Sequence, residues 1–407
     1  MEEIILFDDK KDCCGCSACM NICPKQAISM ERDEYGFIYP QIDKKLCINC
    51  GACKKVCAFQ NKFQGKTSIK VFAAVNRNKE QLMNSASGGI FSAIAAKFLE
   101  AGGVVFGAAL DFEEGHAIPH HIAIESLDEI SKLQGSKYVQ SSINESYMKA
   151  LDFLKQGRQV LFSGTPCQID GLYGFLGREY ENLTMIDLIC HGVPSANFFD
   201  DYIQTEKKKR KAKKITGFVF RDKKNGWGCN GRISLLSRHG NIKNVYVPSR
   251  LSSYYTLFLD SYVYRESCYS CKYAGPQRYS DLTIGDYWGV KNEHPELLGK
   301  QGYDDKKGIS CILANSKKGV ILCDELVGLI SMHPSALENV QKKNGQLSSP
   351  SKKPEERDVV LKLYRQEQYS AVEKYFRKKY RKQIIVHTFY NAIPRKIRLR
   401  LKNALKG

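Results

Sequence analysis

From about residue 68 the chain alternates short apolar runs with stretches of helical spacing. Val71-Phe-Ala-Ala-Val75 is a continuous run of strand length. Ser85-Ala-Ser-Gly-Gly89 then leads into residues 90–99, whose apolar positions recur at helical intervals until Gly102-Gly103 stops them. The pattern predicts strands at 104–110, 159–162, 183–189, 215–220 and 282–284, with helices at 146–155 and from 198. Strands alternating with helices predict an α/β layer with at least partly parallel strands.

Composition narrows the class. The 407 residues are 43% hydrophobic and 26% charged, which excludes a disordered chain, a collagen-like repeat and an integral membrane protein. No apolar run approaches the roughly 20 residues of a membrane-spanning helix. Met1-Glu-Glu-Ile lacks the basic and apolar regions of an export signal, so the expected location is cytoplasmic. Two figures stand out, 16 cysteines and a net charge of +19. A chain long enough to bury a core in a reducing compartment has no use for disulfide staples, so the cysteines point to metal or redox chemistry.

Nine cysteines fall within the first 57 residues. Cys13, Cys16, Cys19 and Cys23 follow C-x2-C-x2-C-x3-C-P, and Cys47, Cys50, Cys53 and Cys57 repeat it with Ala58 in place of the proline. Three thiolates of a tight loop reach three irons of a cubane, and the fourth turns to the other cluster. The expected ligand sets are therefore Cys13, Cys16, Cys19 and Cys57 for one [4Fe-4S] cluster, and Cys47, Cys50, Cys53 and Cys23 for a second. Zinc sites, usually built from two separated CxxC pairs, fit this spacing poorly. The segment resembles the bacterial two-[4Fe-4S] ferredoxin module. Cys14 is out of register and reads as a bystander.

Further cysteines are dispersed. Cys167 and Cys190 follow predicted strands, and Cys268 and Cys271 form a short pair. Strand ends on one edge of an α/β sheet converge, so these four make a third metal site, for zinc or for an iron–sulfur cluster. Cys229, Cys311 and Cys323 read as buried small hydrophobes. Ser87, Gly88 and Gly89 precede a helix, where an anion is favoured, though a plain helix cap accounts for them too. Gly135, Ser136 and Lys137 add a cation and a hydroxyl of the kind that holds a pyrophosphate.

Taken in order, Ser85-Ala-Ser-Gly-Gly89, Gly135-Ser-Lys-Tyr138, Gly164-Thr-Pro-Cys-Gln168, Cys190-His-Gly192, Cys268-Tyr-Ser-Cys271 and Asp281-Leu-Thr-Ile-Gly-Asp-Tyr-Trp-Gly289 resemble the coenzyme F420 hydrogenase/dehydrogenase beta-subunit family over roughly residues 70–315. The resemblance implies a non-covalent FAD beside a third [4Fe-4S] cluster. Carried onto this chain, it implies Cys167, Cys190, Cys268 and Cys271 as cluster ligands and Ser87, Gly88, Gly89, Lys137, Gly164 and Thr165 as flavin contacts. Asp286 reads as a substrate contact, a group that orients a loop, or a plain turn residue. His191 reads as a proton relay or, more simply, a hydrogen-bond partner of sulfide.

Residues 374–407 carry 12 Lys and Arg and no Asp or Glu, interleaved with Phe389, Tyr390, Ile393, Ile397, Leu399, Leu401 and Leu405 around Pro394. That pattern suits the anionic inner face of a membrane. The run at 207–214 reads as a solvated helix end leading into a loop. No nucleic-acid-binding motif accompanies either run, so no specific nucleic acid is expected.

The fold expected is α+β followed by α/β: a ferredoxin-type domain (1–62), a flavin- and cluster-binding α/β domain (63–345), then a linker and basic helical tail (346–407). The function expected is an iron–sulfur flavoprotein oxidoreductase. It would pass electrons between a low-potential carrier or redox partner protein and a small-molecule substrate, coenzyme F420 or another hydride acceptor. A membrane-facing tail would suit the biosynthesis of a cell-surface polysaccharide. The alternative is a non-catalytic electron-transfer subunit that docks to a separate catalytic partner.

Overall fold

The computed structural model describes residues 4–57, 59–61 and 64–393. The N-terminal part is mostly loop around a two-stranded antiparallel ribbon, β1 (Ile28–Arg32) and β2 (Ile38–Ile42). The rest is organised by one large sheet of β3 (Lys70–Asn76), β4 (Val104–Glu113), β5 (His116–Ile124), β6 (Val160–Gly164) and β7 (Leu183–Leu188). A smaller sheet holds β8 (Lys214–Val219), β9 (Gly231–Leu236) and β10 (Ile242–Val247). The large sheet is completed by β11 (Leu282–Asp286), β12 (Ser310–Ala314) and β13 (Ile330–Ser335).

The eight-stranded order is β13-β3-β12-β11-β7-β6-β4-β5. The four strands β11, β7, β6 and β4 run parallel, and antiparallel strands flank them on both sides. Central strands covered on both faces should be apolar throughout, and β12 is buried at every position. One face packs on the helix Ile90–Glu100, which turns Ile90, Ala93, Ile94 and Leu99 inward; the other carries the helices Ser146–Lys155 and Pro166–Leu176.

The hairpin strand β5 lies outside the predicted elements. Its His116-Ala-Ile-Pro-His-His sequence is a poor strand signal, and Pro119 is tolerated because β5 is an edge. Glu114 and Gly115 both have positive φ, which fits a two-residue turn of the kind that matches strand twist.

The C-terminal part divides in two. Arg357–Lys379 consists of two helical segments meeting at Gln368, where φ is 61°. Together they bury Val360, Tyr364, Tyr369 and Val372 against an aromatic core with Phe198, Tyr202 and Tyr254. The kink shifts one apolar stripe out of phase with the next, which is why the sequence reads there as tail instead of packed layer. Among the described residues, Arg381–Ala392 lies outside this core, with no buried residue, with Val386 and Phe389 64% and 70% exposed, and with Gln383 donating to the Arg250 carbonyl at 3.2 Å. Pro394, Ile397, Leu399, Leu401 and Leu405 lie outside the described residues. The basic run at 207–214 starts inside the helix Ala196–Lys209, where the buried Glu206 pairs with Lys209 and Arg210 at 3.2 and 2.8 Å. Among the described residues no helix is long and apolar enough to cross a membrane.

Candidate functional site

The two cysteine-rich loops have the same local shape. In each, a left-handed residue, Ser17 at φ 64° or Gly51 at φ 74°, caps a helical turn, Ala18–Ile22 or Ala52–Lys55. That sharp reversal folds three successive cysteines around one point. Cys13, Cys16, Cys19 and Cys57 line one hollow, with Cys14 beside them, and Cys23, Cys47, Cys50 and Cys53 line another. The amides of Ala27 and Asn49 point at the Cys23 and Cys47 sulfurs, at 3.3 and 3.5 Å. Four thiols, a small enclosed space and amides aimed at sulfur match what a cubane needs from its protein.

Cys167, Cys190, Cys268 and Cys271 also come together. Burial, and then the neighbouring thiols at 190, 271 and 167, push the Cys268 thiol well up. Burial and the same neighbours raise Cys190 to about 12 and Cys271 to about 11. Such thiols stay protonated unless a metal or cluster displaces the proton. Cys167 sits in the first turn of the helix Pro166–Leu176 with Thr165 Oγ1 3.2 Å away, and the neighbouring Cys14 thiol and then burial push it well up too. Arg278, 1% exposed, donates to the Tyr273 and Gln277 carbonyls at 2.9 and 2.7 Å and lies 3.4 Å from Asp187 of β7. It thereby fixes the loop after Cys271 against the sheet.

Cys14 stands between two of these groups. It is 7% exposed, and its thiol lies beside those of Cys16 and Cys167. The loop of the first cavity and the four-thiol site therefore touch. Gly171 makes the approach feasible, because a Cβ there would stand 2.8 Å from Cys16 Sγ. Arg265, 1% exposed, lies at the same junction. It donates to the carbonyls of Cys13 and Ile38 and stacks over Tyr39 at 4.0 Å.

The remaining singled-out residues lie along the edge formed by the C-terminal ends of the parallel strands. Gly164 and Thr165 end β6, beside Cys167. Ser87 donates its hydroxyl to the Ile309 carbonyl at 3.0 Å, and the Gly88 amide donates to Ser310 Oγ at 2.9 Å, so both are tied to β12. Gly89, at φ 77°, caps the helix Ile90–Glu100. The Gly135–Lys137 loop joins this group through Gln134, which donates to Ser92, itself bonded to Ser85. Lys137 Nζ is held by the Lys132 and Gln134 carbonyls, and burial pulls it down to about 7.

Sequence reasoning passed over several residues here. Arg221 makes a two-point contact with Asp286, at 2.8 and 3.1 Å, and also donates to Tyr138. Trp227 Nε1 donates to the same carboxylate at 2.9 Å, and its ring stacks on Trp288 at 4.5 Å. Asp286 is thus a fixed anchor, not a plain turn residue. Lys223, 7% exposed, donates to the Leu82 and Ser87 carbonyls at 2.6 Å, and burial brings it to about 7. Among the described residues no carboxylate lies within ion-pair distance of Lys137 or Lys223. Cys311 and Cys323 are fully buried, whereas Cys229 stands near Tyr138, Arg221 and Asp286. The His191 carbonyl accepts from Ser351 at 2.7 Å.

Three family models match the chain. Residues 12–61 match a 4Fe-4S dicluster domain. Residues 71–148 match the N-terminal part, and residues 157–336 the C-terminal part, of the coenzyme F420 hydrogenase/dehydrogenase beta subunit. No curated protein matches. One similar solved structure is the F420-reducing [NiFe] hydrogenase complex from Methanosarcina barkeri: a chain of it is 17% identical, with 74% of this chain and 94% of that one covered, at a TM-score of 0.43.

Proposed function

The chain belongs to the coenzyme F420 hydrogenase/dehydrogenase beta-subunit family and carries a 4Fe-4S dicluster domain, and from that premise we propose that it is an iron–sulfur flavoprotein oxidoreductase. Cys13, Cys16, Cys19 and Cys57 hold one cubane, and Cys23, Cys47, Cys50 and Cys53 the other. Cys167, Cys190, Cys268 and Cys271 hold a third. The observation that carries this reading is the contact of Cys14 with Cys16 and Cys167, which sets two of these sites side by side.

FAD, when bound, exchanges hydride with an organic partner and single electrons with a cluster. The chain's own residues would hold it along the strand-end edge. Lys137 and Lys223, amines with no carboxylate at ion-pair distance among the described residues, take the pyrophosphate, with the first-turn amides of the helix Ile90–Glu100 beside them. Ser87 and Gly88 shape that edge by their bonds to β12. The Arg221–Asp286–Trp227 group keeps the mouth in one geometry and excludes water by stacking Trp227 on Trp288. The substrate is a hydride acceptor or donor, coenzyme F420 or a related small molecule. The basic segment 374–407, which includes the Arg381–Ala392 helix, carries the enzyme to an anionic membrane surface, where a lipid-linked polysaccharide precursor is a fitting substrate.

The internal bonding of Ser87 and Gly88 favours a second reading, an electron-transfer subunit without flavin that docks to a catalytic partner. Anaerobic purification of the full chain separates the two. About 12 irons and one releasable FAD per chain support the oxidoreductase. About eight irons and no flavin leave only the carrier.

A further inference from the structure

His294, Glu296 and His333 stand apart from every cysteine site, and neither the proposed function nor the family assigns them a role. We propose that they form a binding site for a zinc-class divalent cation. His294 precedes the short turn Pro295–Leu297, and His333 lies on β13, the outermost strand of the large sheet. Their donor atoms and that of Glu296 all lie within 4.8 Å of one another.

The distances discriminate between a cation site and an ordinary ion pair. Glu296 Oε1 is 3.4 Å from His294 Nδ1 and 3.7 Å from His333 Nε2. Both exceed the roughly 2.7–3.2 Å of an N–H···O hydrogen bond. They come close to the edge of a coordination tetrahedron, which for bonds of about 2.0–2.1 Å is roughly 3.4 Å. The two imidazole rings are 5.2 Å apart at 70°, so they converge on a point without stacking.

The surroundings are those of a ligand. His294 Nε2 is 2.8 Å from Ser335 Oγ, which is 2.7 Å from the Tyr287 hydroxyl. Donating from Nε2 to Ser335 fixes the tautomer that leaves the Nδ1 lone pair for the metal, as outer partners of metal-bound histidines do. The side chains of His294, Glu296 and His333 are 11%, 53% and 38% exposed. One side is therefore anchored and the other open, leaving the fourth position to water. A bound ion would clip the edge strand β13 to the segment that follows Asp286 and Tyr287.

The test uses the full chain with its complete iron content, so that vacant cysteine sites cannot capture the metal. After chelator washing and dialysis against ZnCl2, bound zinc and iron are measured together with the thermal unfolding midpoint. Wild type should take up about one zinc per chain, with iron unchanged and the midpoint raised. Glu296→Gln and His333→Ala should each weaken zinc uptake by at least about tenfold, the least seen when even a residue outside the ligand shell is lost, and abolish the thermal shift. Glu296 is exposed, so its isosteric variant keeps the test valid if His333→Ala misfolds. Zinc uptake that is absent in wild type, or as strong in both variants as in wild type, overturns the proposal.

Discussion

Arg265 donates from Nε to the carbonyl oxygen of Cys13 at 2.8 Å, joining a residue late in the chain to the first cysteine of the N-terminal loop. The same guanidinium donates to Ile38 at 2.8 Å and faces Gln140 at 3.3 Å. Arg265→Met would leave buried carbonyls unpaired at a cost of about 2–3 kcal/mol, and Arg265→Lys would recover only part of it because an ammonium has no planar fork. Denaturant titration followed by loss of the visible iron–sulfur absorbance measures both. An unchanged midpoint in Arg265→Met counts against the brace.

The four-thiol site makes a stoichiometric prediction. Cys268→Ser should lower iron from about 12 to about eight per chain while leaving the spectrum of the remaining clusters. Cys14→Ser should leave iron at the wild-type level, since Cys14 contacts two sites but belongs to neither ligand set. Loss of iron in Cys14→Ser would instead place that sulfur among the ligands.

Gly88 is pinned between two strands. A Cβ there would meet the Ala74 carbonyl oxygen at 2.5 Å and the Ser310 amide at 2.7 Å, both backbone atoms that cannot swing aside. Gly88→Ala should therefore shift the loop that leads into Ile90–Glu100, at about 1–3 kcal/mol. FAD content should fall while iron per chain holds. Retention of full flavin would remove this loop from the cofactor's neighbourhood.

His121 supplies a pH signature. It is 5% exposed, its ring bonds to Ser141 Oγ and the Ser163 carbonyl, and burial lowers it to about 4. The folded form holds it neutral, whereas the unfolded chain takes up a proton below about 6.5. Its contribution is thus complete above that value and is lost as pH falls toward 4, amounting to about 3 kcal/mol. His121→Gln should flatten the stability profile between these limits relative to wild type.

The Arg381–Ala392 helix can be removed without touching the packed one. Truncation after Tyr380 keeps that residue's 2.8 Å bond to Asp260 and the buried Phe376. The truncated protein should lose sedimentation with anionic vesicles and keep its iron. Equal sedimentation of the two forms would rule out this segment as the membrane contact.

What the sequence made legible follows from locality. Apolar runs marked β3, β4, β6, β7 and β11, and cysteine spacing marked the two N-terminal loops. β5 was hidden by Pro119 and three histidines, and the packed helix at 357–379 by a kink that breaks its period. Arg221, Lys223 and Arg265 were illegible for a different reason. A lone cation reads as surface charge until the fold closes around it, and each finds its partners far away, Arg265 at Cys13 and Lys223 at Ser87. The convergence of Cys167 and Cys190 with the late pair was accessible only through their positions after strands.

Because Gly171 has no side chain, Cys16 rests almost on the backbone of the helix that begins at Pro166. A module seated that closely has no arc to swing through and no docking event to wait for. On the proposed function, handover from it to the body of the protein is therefore a first-order step, indifferent to dilution. The same two pieces expressed as separate chains would have to find each other by diffusion, and their turnover would fall as they were diluted.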